Sequence, residues 1–239
     1  MALPRLESIK YTLTIPSTQE EIEYRPYLVK EEKILMVALE TQDQKQMMIG
    51  LRDVILSCTE GRVNVEKLPL FDMEYIFLKI RSKSVGEVSK IGIKCNKCDS
   101  TNKVEIDLES VEVNGKVERE HKIELTADIG MMLKYPLVGA IKKQMTGSNK
   151  KSDNNDNDNA MATVIASIDY IYDKDSMYSA SDETTKNLVE FIDSLTSEQF
   201  LKITKFFENM PKLEHNIKFK CQDCKKNNDI HVEGLQSFF

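Results

Sequence analysis

Cys95-Asn-Lys-Cys98 and Cys221-Gln-Asp-Cys224 are two CxxC pairs in a chain with five cysteines. Two residues between thiolates let one tight turn aim both sulfurs at a single ion, and two such turns supply the four sulfurs of a structural Zn²⁺ site. A site closed by four cysteines leaves no open coordination position, so its metal is structural and not catalytic. The spacing therefore predicts one structural Zn²⁺ per chain, held by Cys95, Cys98, Cys221 and Cys224. Two competing readings are reduced structural pairs and a redox dithiol. The second is weak, because neither pair opens a helix in a βαβ context, where a lowered thiol pKa arises. The residue after each second cysteine is Asp99 or Lys225, where many knuckles carry Gly for backbone freedom.

The similarity of the two pairs extends beyond the cysteines. Ile91 matches Ile217, Ile93 matches Phe219, and Lys94 matches Lys220; Asn102 matches Asn228, Val104 matches Ile230, and Ile106 matches Val232. The chain thus uses a strand–knuckle–strand repeat twice, with short alternating runs on each side of each knuckle. Lys94, Lys97, Lys103, Lys218, Lys220, Lys225 and Lys226 crowd these runs. A basic ribbon suggests nucleic acid, but Zn²⁺ with four thiolates carries a formal charge of about −2 that nearby lysines offset. No aromatic platform interleaves with the lysines, although Phe219 falls on the apolar phase of its strand.

Other candidates for chemistry are thin. Cys58 lies on the apolar face of a helix and reads as a small core residue. His121, His215 and His231 are scattered; His231 could compete as a ligand, but four cysteines already complete the site. GxxxxGK[ST], GxSxG and HExxH are all absent, and nothing argues for an enzyme. The chain has 239 residues, 41% apolar and 30% charged, which suits a globular protein of one large or two small domains. Its net charge of −6, from 33 Lys+Arg against 39 Asp+Glu, weakens the case for a surface that grips a phosphate backbone. There is no apolar run long enough for a membrane-spanning helix. The opening MALPRLESIK lacks a hydrophobic signal core, so the chain is expected to stay in the compartment where it is made.

The elements that position the cysteines follow from periodicity. Ile9, Tyr11, Leu13 and Ile15 alternate with polar residues, Pro16-Ser17-Thr18 turns, and Ile22 and Tyr24 resume, which predicts a hairpin. Ile34, Leu35, Ala38 and Leu39 predict one helix; Met47, Leu51, Val54, Ile55 and Cys58 predict a second, ended by Gly61. Leu70 to about Lys83 is apolar on most sides and predicts a central core helix, with docking on a partner as the alternative. Strand patterns occupy Val88 to Pro136, with Asn114-Gly115 as a hairpin turn. The polar stretch Gly147–Asn159 predicts a mobile loop; as a calcium loop it fails, with Asp158 where Gly is required and Val164 where Glu is required. Three helices follow: Met161–Ile171, one marked by Leu188, Phe191, Ile192 and Leu195, and one capped by Thr196 with Gln199. The predicted fold class is α+β, with β-hairpins and helix clusters joined by a four-cysteine zinc ribbon made from two distant CxxC knuckles. The expected domains are 1–90, an N-terminal hairpin plus helices; 91–108 and 214–239, the ribbon; and 109–213, an inserted α+β subdomain with the loop 147–159.

The stretches Tyr24-Arg-Pro-Tyr-Leu-Val-Lys-Glu-Glu-Lys-Ile-Leu35, Phe71-Asp-Met-Glu-Tyr-Ile-Phe-Leu78, Arg81-Ser-Lys-Ser-Val-Gly-Glu87 and Gly234-Leu-Gln-Ser-Phe-Phe239 span the chain nearly end to end. In their order and joint presence the chain resembles the baseplate hub subunit and hub assembly proteins of T4-like contractile-tailed bacteriophages. The resemblance implies a non-enzymatic part in building the central hub, in the cytoplasm of an infected bacterium. It also implies contacts with other hub proteins, with the tape-measure protein as a further candidate. The zinc assignment rests on spacing and not on the resemblance. The main competing function is a zinc-ribbon nucleic-acid-binding regulator. The terminal Phe238 and Phe239 either cap the chain's own core or dock on a partner, and the resemblance favours docking.

Overall fold

A computed structural model describes residues 8–41, 43–115, 117–118, 121–147 and 156–238. In chain order the elements are β1 (Tyr11–Thr14), β2 (Glu21–Tyr24), α1 (Val29–Glu40), α2 (Gln44–Cys58), α3 (Leu70–Val85), β3 (Val88–Lys94), β4 (Thr101–Asp107), β5 (Glu112–Asn114), β6 (His121–Glu124), β7 (Gly130–Leu133), α4 (Val138–Gly147), α5 (Asp156–Ser167), β8 (Ile168–Tyr172), β9 (Met177–Ser179), α6 (Thr185–Asp193), α7 (Ser197–Glu208), β10 (Lys212–Lys220) and β11 (Asn227–Glu233). The mixed helix and sheet composition, with small separate sheets, is the expected α+β class. The chain forms two compact units. The first takes in the chain up to Val65, Phe71–Asn114 and the chain from Pro211; the second is Glu66–Leu70 with Gly115–Met210.

In the first unit α3 is the central element. Phe71, Met73, Ile76, Phe77, Leu78 and Ile80 are all buried, which covers most of its circumference. Two charged residues are buried with them and each is satisfied. Asp72 accepts from the Ser17 N–H at 3.1 Å and from the Ser17 hydroxyl, and the Lys79 ammonium donates to the carbonyl of Glu109 at 2.8 Å. Burial pushes the Asp72 carboxyl up to about 6 against these two hydrogen bonds, and burial lowers Lys79.

The hairpin β1–β2 forms as its alternation predicts, with Leu13 opposite Ile22 and both buried. Helix α1 departs from the expected stripe. It turns Glu31 and Ala38 inward and leaves Ile34 and Leu39 exposed. The buried acid is what orients it: Glu31 meets the Arg25 guanidinium at 2.8 Å, the Ser57 hydroxyl at 2.5 Å and the Leu28 N–H at 2.9 Å. Burial opposes the Glu31 charge, but these donors outweigh it and hold the carboxyl down at about 2.

Asn114-Gly115 does not close a local hairpin. Gly115 takes a positive φ of 96°, but β5 pairs with β10, Val113 opposite Leu213, and Gly115 is where the chain passes into the second unit. That unit is built on an antiparallel sheet of order β6-β7-β8-β9. Its core joins Ile123, Met131 and Leu133 from the sheet to Val164, Leu188, Ile192 and Ile203 from the helices. The expected helix Met161–Ile171 ends at Ser167, and Ile168–Tyr172 is a strand. Val164, Ile168 and Ile171 recur at helical steps, but the β-branched and aromatic run from Ile168 pairs with β7. Of the loop expected at 147–159, residues 148–155 lie outside the described residues, and Asp156–Asn159 form the first turn of α5. The Thr196–Gln199 capping box forms at the start of α7, with the Thr196 N–H donating to Gln199 Oε1 at 2.8 Å.

The C-terminal turn favours the core-capping alternative for Phe238 over docking. Gly234, at φ 73°, bends the chain back after β11, and a single 3₁₀ turn follows over Leu235–Phe238. At about three residues per turn, Leu235 and Phe238 share a face, and both are buried, Phe238 completely. Its carbonyl accepts from the Ser89 hydroxyl at 2.7 Å. The ring belongs to the core of the first unit; Phe239 lies outside the described residues.

Candidate metal centre

Two antiparallel hairpins hold the cysteines. β3 and β4 pair with Ile91 opposite Val104 and Ile93 opposite Asn102. β10 and β11 pair with Ile217 opposite Ile230 and Phe219 opposite Asn228. The residues matched by the sequence repeat thus occupy matching register positions, and each knuckle is the turn of its own hairpin.

The knuckles have the same backbone design. The Cys95 N–H donates to the Ser100 carbonyl and the Cys221 N–H to the Lys226 carbonyl, each at 2.9 Å. The Asp99 and Lys225 N–H groups close back onto the carbonyls of Cys95 and Cys221 at 3.0 and 3.2 Å. This closure requires a left-handed residue after each second cysteine, and Asp99 and Lys225 adopt φ of 56° and 57°. The absence of Gly at these positions does not prevent the turn; it places two non-glycine residues in a conformation that side chains disfavour.

The four sulfurs converge. Cys95 Sγ lies 3.7 Å from Cys224 Sγ, and Cys98 Sγ lies 3.7 Å from Cys221 Sγ; all four fall within 4.8 Å of one another. None of the cysteines forms a disulfide. Sulfurs at the corners of a tetrahedron, each ~2.3 Å from a central ion, stand roughly 3.8 Å apart. The donor set and its spacing therefore fit a soft, four-coordinate cation. Cys95 and Cys221 are buried, Cys224 is half-buried and Cys98 is exposed.

Hydrogen bonds already favour thiolates here. The Ser100 hydroxyl, 3.2 Å away, together with the N–H groups of Cys224 and Asp223, pulls Cys221 down to about 5. At Cys224 the Lys226 N–H favours the thiolate, but burial and the three neighbouring sulfurs outweigh it and push the thiol up to about 11. Four thiolates so close resist simultaneous ionisation, and a divalent cation at their centre relieves that repulsion.

Residues outside the CxxC pairs brace the site. The Asn102 amide oxygen accepts from the Gln222 N–H at 2.8 Å, and the Asn228 amide oxygen accepts from the Asn96 N–H at 3.0 Å. The repeat alignment had already matched these asparagines; only the cross-knuckle hydrogen bonds reveal their role. The surrounding lysines, from Lys94 to Lys226, are exposed. Lys218 pairs with Asp229, and Lys225 donates to the Gln222 carbonyl. His231 is no competitor for the metal: its Nε2 faces Glu214 and Glu233, at 2.9 and 3.3 Å. Cys58 is buried, and burial pushes its thiol up to about 11, far from a nucleophile's range.

A family profile described as T4 bacteriophage base plate protein matches residues 8–239, which is nearly the whole chain and includes both knuckles. No curated protein and no solved structure gives a significant match.

Proposed function

This chain belongs to the T4 bacteriophage base plate protein family, and from that premise we propose that it is a non-enzymatic assembly component of the hub of a contractile tail, with a ribbon held by one structural Zn²⁺. Family membership gives it a structural role in the base plate and other base plate components as its partners. Among the described residues no helix is long and apolar enough to cross a membrane. The observation that carries the reading is the match over residues 8–239. The hub position, assembly in the host cytoplasm and contact with the tape-measure protein are the finer parts of the proposal, drawn from the resemblance carried by the four stretches that include Phe71–Leu78 and Arg81–Glu87.

The zinc reading is supported by the all-sulfur donor set, the 3.7 Å separations and the braced knuckles. Cys95, Cys98, Cys221 and Cys224 would hold the ion, whose part is to join two hairpins far apart in sequence. Structural zinc contributes on the order of 10 kcal/mol to folding in small metal-dependent domains. Elemental analysis of natively purified, reduced protein is expected to give one zinc per chain, and Cys221→Ser is expected to lose metal and thermal stability together. Zinc-free wild-type protein of unchanged stability would overturn the assignment. Co-purification of tagged protein with hub proteins from infected cells tests the hub role, and recovery with peripheral base plate proteins alone would place it elsewhere.

A further inference from the structure

The second unit carries a cleft of about 480 Å³ beside α7. Lys202, Lys205, Phe206 and Asn209 recur at three- and four-residue steps, so one side of the helix forms a wall of the cleft. His121 of β6 and Tyr135 complete an aromatic floor. The His121 ring lies 4.7 Å from both Tyr135 and Phe206, centroid to centroid. Burial holds His121 below the usual imidazole range, and its Nε2 is engaged 3.0 Å from the Glu118 carbonyl, so at neutral pH it presents a flat, uncharged surface.

The charge of the cleft runs against that of the chain. Among the described residues three lysines line it, Lys122, Lys202 and Lys205, against one acid, Glu118, in a protein of net charge −6. Lys122 is paired with Glu124. Lys202 donates to a backbone carbonyl, that of Glu124, at 2.8 Å, and has no ion-pair partner among the described residues. Lys205 is exposed and has no ion-pair partner among the described residues. A volume of this size is in the range that accepts a small ligand or a few side chains.

We propose that this cleft receives an acidic segment of a partner protein, seating one apolar or aromatic side chain against Phe206 and His121 while flanking carboxylates meet Lys202 and Lys205. A protein segment fits better than nucleic acid. The lysines are few, the net charge repels a long polyanion, and the rings are packed on one another instead of spaced as a platform for successive bases. The inference rests on the base plate reading, in which the chain works packed among other proteins.

The test uses the full chain and a labelled synthetic peptide, Asp-Glu-Phe-Glu-Asp, in fluorescence anisotropy at low and moderate salt. Its Asn/Gln analogue and a single-stranded oligothymidylate serve as comparisons. The acidic peptide is expected to bind wild-type protein, more weakly as salt rises, and Lys205→Glu is expected to weaken it about tenfold at an unchanged melting temperature. Lys205→Gln, with a smaller loss, guards against a folding artefact. Equal binding of the neutral analogue, or no change in either variant, overturns the proposal, as does an oligonucleotide that binds more tightly and is lost in the same variants. Recovery of hub proteins from infected cells is independent of this readout: hub recovery without peptide binding removes the cleft proposal alone, and peptide binding without hub recovery removes the hub reading alone.

Discussion

Asn102 and Asn228 each hold the knuckle to which they do not belong. Asn102 accepts from the N–H that follows Cys221, and Asn228 accepts from the N–H that follows Cys95. Each also donates to the carbonyl two residues before it, at 2.9 and 3.2 Å. The two hairpins are thereby clamped reciprocally, and both asparagines are buried.

Asn102→Ala and Asn228→Ala are each expected to weaken metal binding about 10- to 100-fold, the range for residues that orient ligands without touching the metal. Chelator competition at fixed pH measures it. Because the contacts are reciprocal, the two losses should be of similar size; a loss in one variant alone would show that the clamp is one-sided.

Asp99→Gly and Lys225→Gly should stabilise the metal-loaded protein, each by roughly 0.5–1 kcal/mol. Both positions are left-handed, and glycine removes the steric cost of that conformation. The denaturant midpoint at saturating zinc reads the gain.

Two buried carboxyls make stability depend on pH in opposite senses. Glu31 is held down at about 2 from 4.5, so its stabilisation is present above pH 4.5 and is lost as pH falls toward 2. Asp72 is raised from 3.8 to about 6, so its contribution is full below pH 3.8 and is lost as pH rises through 6. Asp72→Asn keeps an acceptor for the Ser17 N–H and removes the charge. Its stability relative to wild type should rise between pH 4 and 6 and then level off, at a gain of about 1–3 kcal/mol. Urea unfolding of both proteins across that interval tests it, and a constant difference would be the contrary result.

Phe238→Ala should cost about 3–5 kcal/mol, the range for a large ring removed from a packed core. Thermal unfolding of the isolated protein is sufficient to see it. A melting temperature close to wild type would return the ring to a partner surface.

Much of the ribbon was legible in the sequence because a repeat fixes spacing and register together: once Ile91 is aligned with Ile217, the strand partners follow. The central burial of α3 was legible for a related reason, since a helix apolar on most sides has no solvent face to offer. Where reading failed, tertiary partners decided. Asn114-Gly115 has the chemistry of a hairpin turn, but the partner of β5 arrives roughly 100 residues later in β10. Ile168–Tyr172 continues a helical spacing, yet the open edge of β7 claims it as a strand. In α1 one of the two inward residues is a glutamate, which hydropathy places outside, and Arg25, Ser57 and the Leu28 N–H explain its position. For Phe238 the residue types leave core-capping and docking both open, and the bend at Gly234 turns it back toward the first unit.

The separation of the knuckles orders events during synthesis. Cys95 and Cys98 leave the ribosome first and can offer an ion only two sulfurs. Roughly 120 residues then follow before Cys221 appears, on the order of ten seconds at bacterial elongation rates. A polypeptide interrupted anywhere in that interval carries an incomplete coordination shell. On the zinc reading, tight metal capture would therefore report that translation has passed Cys224.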